Sequence, residues 1–201
     1  MGKVIVNNSI TLDGVMQAPG RPDEDRRGGF EFGGWAVPYN DAVMGKVMGE
    51  GMASGSALLF GRRTYEDFAS VWPKRTDPNP FTDVLNKTHK YVVSRSLEEP
   101  LEWQNSTMLS GDAAESVAKL KGELDTDLVI LGSGELIRAL MPHRLIDRFV
   151  LLIHPLVLGK GRRLFDDDGP LAAFKVTNTT TTTTGVVIAT YELTDQAPAR
   201  S

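Results

Sequence analysis

Three short stretches use glycines, hydroxyls and arginines in a way suited to holding phosphate: Gly61-Arg62-Arg63-Thr64, Ser94-Arg95-Ser96 and Gly132-Ser133-Gly134. Each follows an apolar run that reads as a strand, ending at Phe60, Val93 and Leu131. α/β sheets bind ligands at the carboxyl ends of their strands. Glycine permits close backbone approach, guanidinium groups pair with phosphate oxygens, and the N–H groups at a helix start favour an anion. Three such turns imply a nucleotide with several phosphates.

Each stretch also has a plainer reading. Gly132-Ser133-Gly134 is a fragment of a dinucleotide fingerprint, with Ile137 where a third glycine would stand, and it serves equally as a tight turn. Gly61-Arg62-Arg63-Thr64 is either a phosphate site or a helix start with solvated arginines, with Thr64 expected as N-cap and Asp67 at the third helical position. Ser94 and Arg95 suit a 2′-phosphate, or a surface turn. Gly159-Lys160-Gly161-Arg162-Arg163 has the composition of a hairpin turn between two strands, the alternative being a substrate phosphate site.

Composition narrows the classes. The chain has 201 residues, 41% of them hydrophobic, and this length predicts one domain over 1–194 with a flexible tail at 195–201. A formal net charge of −4 argues against nucleic acid or an anionic membrane as partner. No stretch approaches the roughly 20 apolar residues that span a bilayer. Cysteine is absent, which removes disulfides and thiolate chemistry and fits a cytoplasmic location. His89, His143 and His154 have no ligand spacing, and Asp166-Asp167-Asp168 lacks the calcium-loop pattern, so no metal is expected. His154 reads as a core residue.

The elements that must position these turns follow from periodicity. Lys3–Ser9 reads as a buried strand punctuated by Thr11-Leu12-Asp13-Gly14. A long Gly-Pro loop to Pro38 carries Phe30, Phe32 and Trp35 and suits a mobile lid. Val43, Met44, Val47, Met48 and Met52 recur at helical spacing after Asp41. Ala57–Phe60, Lys90–Val93 and Leu128–Leu131 are short strands. Asp112 is expected to cap a helix whose face is Ala113, Val117, Leu120 and Leu124. After Asp147 the pattern is all strand: Phe149–Ile153, then Phe174–Thr183 and Val186–Leu193 as a closing hairpin. The fold class is α/β, a central mixed but mostly parallel sheet flanked by helices with a C-terminal antiparallel hairpin.

The order of motifs resembles the dihydrofolate-reductase-like superfamily, and within it the C-terminal reductase domain of bifunctional riboflavin-biosynthesis deaminase-reductases. It rests on Ser9-Ile10-Thr11-Leu12-Asp13-Gly14, Gly61-Arg62-Arg63-Thr64-Tyr65-Glu66, Val93-Ser94-Arg95, Leu131-Gly132-Ser133-Gly134 and Leu158-Gly159-Lys160-Gly161-Arg162-Arg163-Leu164-Phe165.

The resemblance implies an NADPH-dependent reductase, usually a homodimer, acting on a small heterocyclic or carbonyl substrate. It implies the cofactor pyrophosphate at Gly61, Arg62, Arg63 and Thr64 and over Gly132, Ser133, Gly134, Glu135 and Leu136. The 2′-phosphate falls at Ser94 and Arg95, and the nicotinamide between the first strand and the loop after Asp13. Substrate is expected against Asp13, Gly14, Trp35, Tyr39 and Arg162, with Asp13 and Asp41 as the candidate catalytic carboxylates.

Dihydrofolate reductases carry a carboxylate near the start of their first helix, after a Trp and a Pro. Here Trp35, Pro38 and Asp41 are spaced one residue too far, so Asp41 is equally a helix N-cap, as Asp13 is equally a turn residue. The zinc deaminase half has no counterpart. A protein that binds a nucleotide on the same fold without catalysis is the alternative reading.

Overall fold

Eight strands form one sheet in the computed structural model, which describes residues 2–52, 55–76 and 80–195. The strands are β1 (Val4–Thr11), β2 (Ala57–Gly61), β3 (Lys90–Val93), β4 (Ser106–Leu109), β5 (Leu128–Leu131), β6 (Arg148–His154), β7 (Phe174–Thr181) and β8 (Val187–Leu193). Their spatial order is β4-β3-β2-β5-β1-β6-β8-β7. All neighbours pair in parallel except β6 with β8 and β8 with β7, which are antiparallel. This is the expected fold class.

Among the described residues five α-helices flank the sheet: α1 (Ala42–Met52), α2 (Arg62–Val71), α3 (Pro80–Lys87), α4 (Ala113–Glu123) and α5 (Gly134–Leu140). Because parallel strands are covered on both faces, β5 is a continuous apolar run with all four residues buried. One face carries Val6, Leu59, Ile130, Ile137 and Phe149; the other carries Phe60, Tyr65, Val92, Trp103 and Leu131. Asp112 caps α4 by accepting from the Ala114 and Glu115 amides, and α4 buries Ala114, Val117 and Leu120.

Several local expectations are corrected. Helix α2 begins at Arg62 with Gly61 as its cap, so Thr64 lies inside the first turn and is no N-cap. Val93 is followed by a loop into β4, so Ser94 and Arg95 have no helix start beside them. Gly159–Gly161 does not join neighbouring strands, because β8 lies between β6 and β7; the long connection folds back on the chain after β1 through a Val15–Arg163 bridge. The closing hairpin is present, with β7 ending at Thr181 and β8 starting at Val187. Of the expected tail 195–201, residues 196–201 lie outside the described residues.

Candidate active site

Parallel pairing brings the β2 and β5 turns together. Leu59 is in register with Ile130, so Gly61 and Gly132 emerge side by side. Ser133 locks them: its hydroxyl accepts from the Gly61 amide at 3.1 Å, and its own amide donates to Thr64 Oγ1 at 2.9 Å. Thr64 therefore ties two turns together instead of capping its helix. Gly132 has φ +60°, and a Cβ there would lie 3.0 Å from Thr64 Cγ2, so only glycine fits without displacement. Ser133 is also left-handed, at φ +52°.

Asn8, buried in β1, completes the cradle. Its Oδ1 accepts from the Gly132 amide at 2.6 Å and its Nδ2 donates to the Gly132 carbonyl at 3.0 Å. A polar residue at an inward position of an alternating strand is the signal by which sequence reading could have found it.

A cleft of about 1230 Å³ opens over this cradle. Its walls are the ends of β1 and β5, the segment from Met16 to Arg27, α1 at Met44 and Met48, and the start of α2. The ten-residue α2 points its N-terminus into the cleft, with Arg62 and Arg63 beside it. Helix N–H groups, the partial positive charge of the dipole and two guanidinium groups make a donor set for phosphate.

The segment expected as a lid is held by its own side chains. Gln17 is buried; its Nε2 donates to the carbonyls of Asp25 and Arg27, and its Oε1 accepts from the Arg162 amide. Trp35 Nε1 donates to the Gln17 carbonyl at 2.7 Å. Val15, Ala18, Phe30, Trp35 and Ala36 form a small apolar core of their own, as in a compact Ω-loop. Arg21 reaches across to α2 and donates to both Asp67 oxygens, at 2.5 and 3.3 Å.

Glu24 lies next to this bridge and lines the cleft. Its Oε2 accepts from the Gly20 and Arg21 amides at 2.7 and 3.1 Å. Burial pushes its carboxyl above the ordinary range, and the Asp67 charge adds to this, against the lowering effect of those amides and of the Arg21 guanidinium. Loop composition alone carried no signal for Glu24, Gln17 or the Arg21–Asp67 pair.

Of the residues singled out in the sequence, Asp41, Gly61, Arg62, Arg63, Thr64, Gly132, Ser133, Gly134, Glu135, Leu136 and Arg162 meet in this cleft. Arg162 bonds Glu135 at 2.8 Å. Asp41 caps α1 through the Met44 amide and takes the Thr183 amide and hydroxyl on its other oxygen. The Met44 amide first, and then Thr183, hold it below the usual carboxylate range.

Asp13, Gly14, Trp35, Tyr39, Ser94 and Arg95 lie outside the cleft lining. The Asp13 carboxylate accepts from the Thr11 hydroxyl and from the Leu158 and Gly159 amides, and the Thr11 hydroxyl is the main cause of its lowered pKa. Trp35 and Tyr39 set their rings edge-on to buried His154, at 5.0 and 5.4 Å. Burial lowers the His154 pKa, as the reading of it as a core residue requires. Ser94 Oγ accepts from the Ser96 and Leu97 amides, and Arg95 is exposed. Yet Gly61 is in register with Val93, which sets Ser94 at the same sheet edge as the phosphate-suited turns.

A sheet of this order, with helices on both faces and a closing antiparallel hairpin, is the dihydrofolate-reductase-like fold. The chain belongs to the RibD C-terminal domain family, whose family model matches residues 2–188. It is 30% identical over 192 residues to the uncharacterized protein YyaP of Bacillus subtilis strain 168, covering 94% of each chain. It is similar in structure to a putative riboflavin biosynthesis protein from Shewanella sp. PV-4, with TM-score 0.67 and 20% identity over 96% of this chain and 99% of that one. It is also similar to dihydrofolate reductase from Enterococcus faecalis complexed with NADP(H) and RAB-propyl, with TM-score 0.62 and 14% identity over 96% of this chain and 98% of that one. Among the described residues no helix is long and apolar enough to cross a membrane.

Proposed function

We propose that the chain is an NADPH-dependent reductase that delivers a hydride to a small heterocyclic or carbonyl substrate, with the 5-amino-6-(5-phosphoribosylamino)uracil reductase step of riboflavin biosynthesis as its first candidate reaction. The observation that carries this reading is the pair of turns after β2 and β5, locked by Ser133, Thr64 and Asn8 beneath the N-terminus of α2. The donor set fits a pyrophosphate bound at Gly61–Thr64 and over Gly132–Leu136. Ser94 and Arg95, at the neighbouring strand end, suit a 2′-phosphate.

When bound, the dihydronicotinamide supplies the hydride. The chain's own residues hold, orient and enclose the reactants. Asn8 and Ser133 fix the cradle, and the Met16–Arg27 segment, fastened to α2 by Arg21, forms one wall of the cleft. Asp41 and Asp13 anchor loops in this reading, since hydrogen bonds within the protein occupy both oxygens of each carboxylate. Enzyme location is proposed as cytoplasmic. The exposed edge strand β7, with Val176 outward, supports a homodimer.

Titration of the purified chain with NADPH and separately with NADH, followed by cofactor fluorescence, tests the reading. Saturable binding, tighter for NADPH, with cofactor oxidation on adding the aminouracil substrate, is the expected result. Absence of NADPH binding at millimolar concentration overturns it. Binding without turnover of any reducible heterocycle favours a nucleotide-binding protein on the same fold.

A further inference from the structure

Reduction of a C=N, C=C or C=O bond needs a proton as well as a hydride, and the cleft contains few groups able to give one. Its described lining holds no histidine, lysine, tyrosine or cysteine. It holds arginines, which stay protonated, and five carboxyl groups.

Four of the five are taken up by guanidinium, amide or hydroxyl donors. Asp25 takes the Arg27 guanidinium through Nε and Nη2, and Asp67 takes the Arg21 fork. Glu135 pairs with Arg138 and Arg162 at the exposed rim. Asp41 spends both oxygens on Met44 and Thr183. Burial acts to raise the Asp25 carboxyl but the Arg27 guanidinium outweighs it, and the Met44 amide and Thr183 hold Asp41 down, so both lie below the usual carboxylate range.

Glu24 differs. It makes no ion pair within 4 Å among the described residues; Asp67 from α2 and Arg21 from its own segment act on its charge in opposite senses. Its carboxyl is held by one oxygen, to two amides of the segment that covers the cleft, and the other oxygen has no hydrogen-bond partner among the described residues. A carboxyl held at one oxygen, with the second unengaged in a ligand-sized cleft, is arranged to present a proton.

We propose that Glu24 is the general acid of this cleft, giving its carboxyl proton to the substrate heteroatom as the hydride arrives at the adjacent carbon. The proposal rests on the reductase reading. Two electrons and one hydrogen come from the reduced nicotinamide to the electrophilic carbon. The electron pair of the double bond moves onto nitrogen or oxygen, or onto the neighbouring carbon of a C=C bond, and takes the Glu24 proton. The substrate is reduced, the nicotinamide oxidised, and the Glu24 carboxylate is reprotonated by water. A pKa raised chiefly by burial, the direction Glu24 shows, suits a carboxyl that must keep its proton until the hydride arrives.

The test joins a substrate-independent reading to a kinetic one. In the full chain labelled with ¹³C-carboxyl glutamate, the Glu24 signal is assigned by its loss in Glu24→Gln and titrated by NMR. A midpoint above the ordinary value of about 4.3 supports the proposal; a midpoint at or below it overturns it. With NADPH and the aminouracil probe, Glu24→Gln is expected to slow turnover about 100-fold and to remove the high-pH fall of the rate, while NADPH affinity stays within about threefold. NADPH binding with an unaltered rate in Glu24→Gln overturns this proposal alone. A wild-type chain that binds no NADPH overturns the reductase reading and this proposal with it.

Discussion

Asn8 on β1 and Gly132 after β5, 124 residues apart in sequence, hold each other through both backbone groups of the glycine. This reciprocal pair is the base of the phosphate-suited cradle. It fixes the left-handed glycine that lets Ser133 turn back toward Gly61 and Thr64.

Asn8→Ala leaves a part-buried amide and carbonyl of Gly132 without a partner. The expected loss is about 2 kcal/mol, or about 4–8 °C in Tm by circular dichroism, with weaker NADPH binding. An unchanged Tm and affinity would show that the cradle is set by the turn alone.

Arg21 and Asp67, with side chains 32% and 20% exposed, bridge the covering segment to α2. A double-mutant cycle with Arg21→Ala and Asp67→Ala in denaturant unfolding should give a coupling of about 1 kcal/mol. Either single variant should also speed tryptic cleavage at Arg26 and Arg27. Additive effects with unchanged cleavage would mean the bridge does not fasten the segment.

Arg95 is exposed at the end of β3, beside the Gly61 edge. Arg95→Ala is expected to weaken NADPH by about tenfold or more and NADH by less than about twofold, since one charge-assisted bond to the 2′-phosphate is lost. Equal losses in the two titrations would assign Arg95 another role.

Lys90 is fully buried, with its ammonium donating to the carbonyls of Leu85, Asn86 and Thr88 and lying 4.4 Å from the Trp103 ring. Burial pushes its pKa from 10.5 down to about 8. Between those values the unfolded chain binds a proton that the folded chain has lost, so this group's contribution to stability rises with pH across that window, by at most about 3 kcal/mol. Urea unfolding at several pH values between 7 and 10.5 should show the rise in the wild type and not in Lys90→Met. Parallel curves would exclude it.

Asp13, held below the usual range chiefly by the Thr11 hydroxyl, contributes stability above its unfolded pKa and loses it as pH falls through the folded one. Asp13→Asn should therefore lower Tm at pH 7 and converge with the wild type in acid. A variant with wild-type Tm and abolished turnover would instead make Asp13 catalytic.

The strands Ala57–Phe60, Lys90–Val93 and Leu128–Leu131, the Asp112 cap and the closing hairpin were legible because each rests on a local signal: an apolar run, a side chain two or three residues from the amides it caps, a turn between β-branched runs. Strand β4, only four residues and never fully buried, and the short helix α3 carry local patterns too weak to mark them in the sequence. Thr64 shows the limit of local reading. Its hydroxyl could cap a helix by spacing, but Ser133, 69 residues on, supplies a better-placed donor.

The sequence by itself determined the α/β class, the phosphate-suited turns and the absence of cysteine chemistry, since residue type and short-range periodicity suffice for these. The tertiary structure alone decided which turns share a cleft, that both oxygens of Asp13 and Asp41 are taken up in loop anchoring, and that Glu24 lines the cleft beside an Arg21–Asp67 bridge. Those outcomes depend on strand register and on contacts 46 to 146 residues apart, which arise only when the sheet orders and the side chains pack.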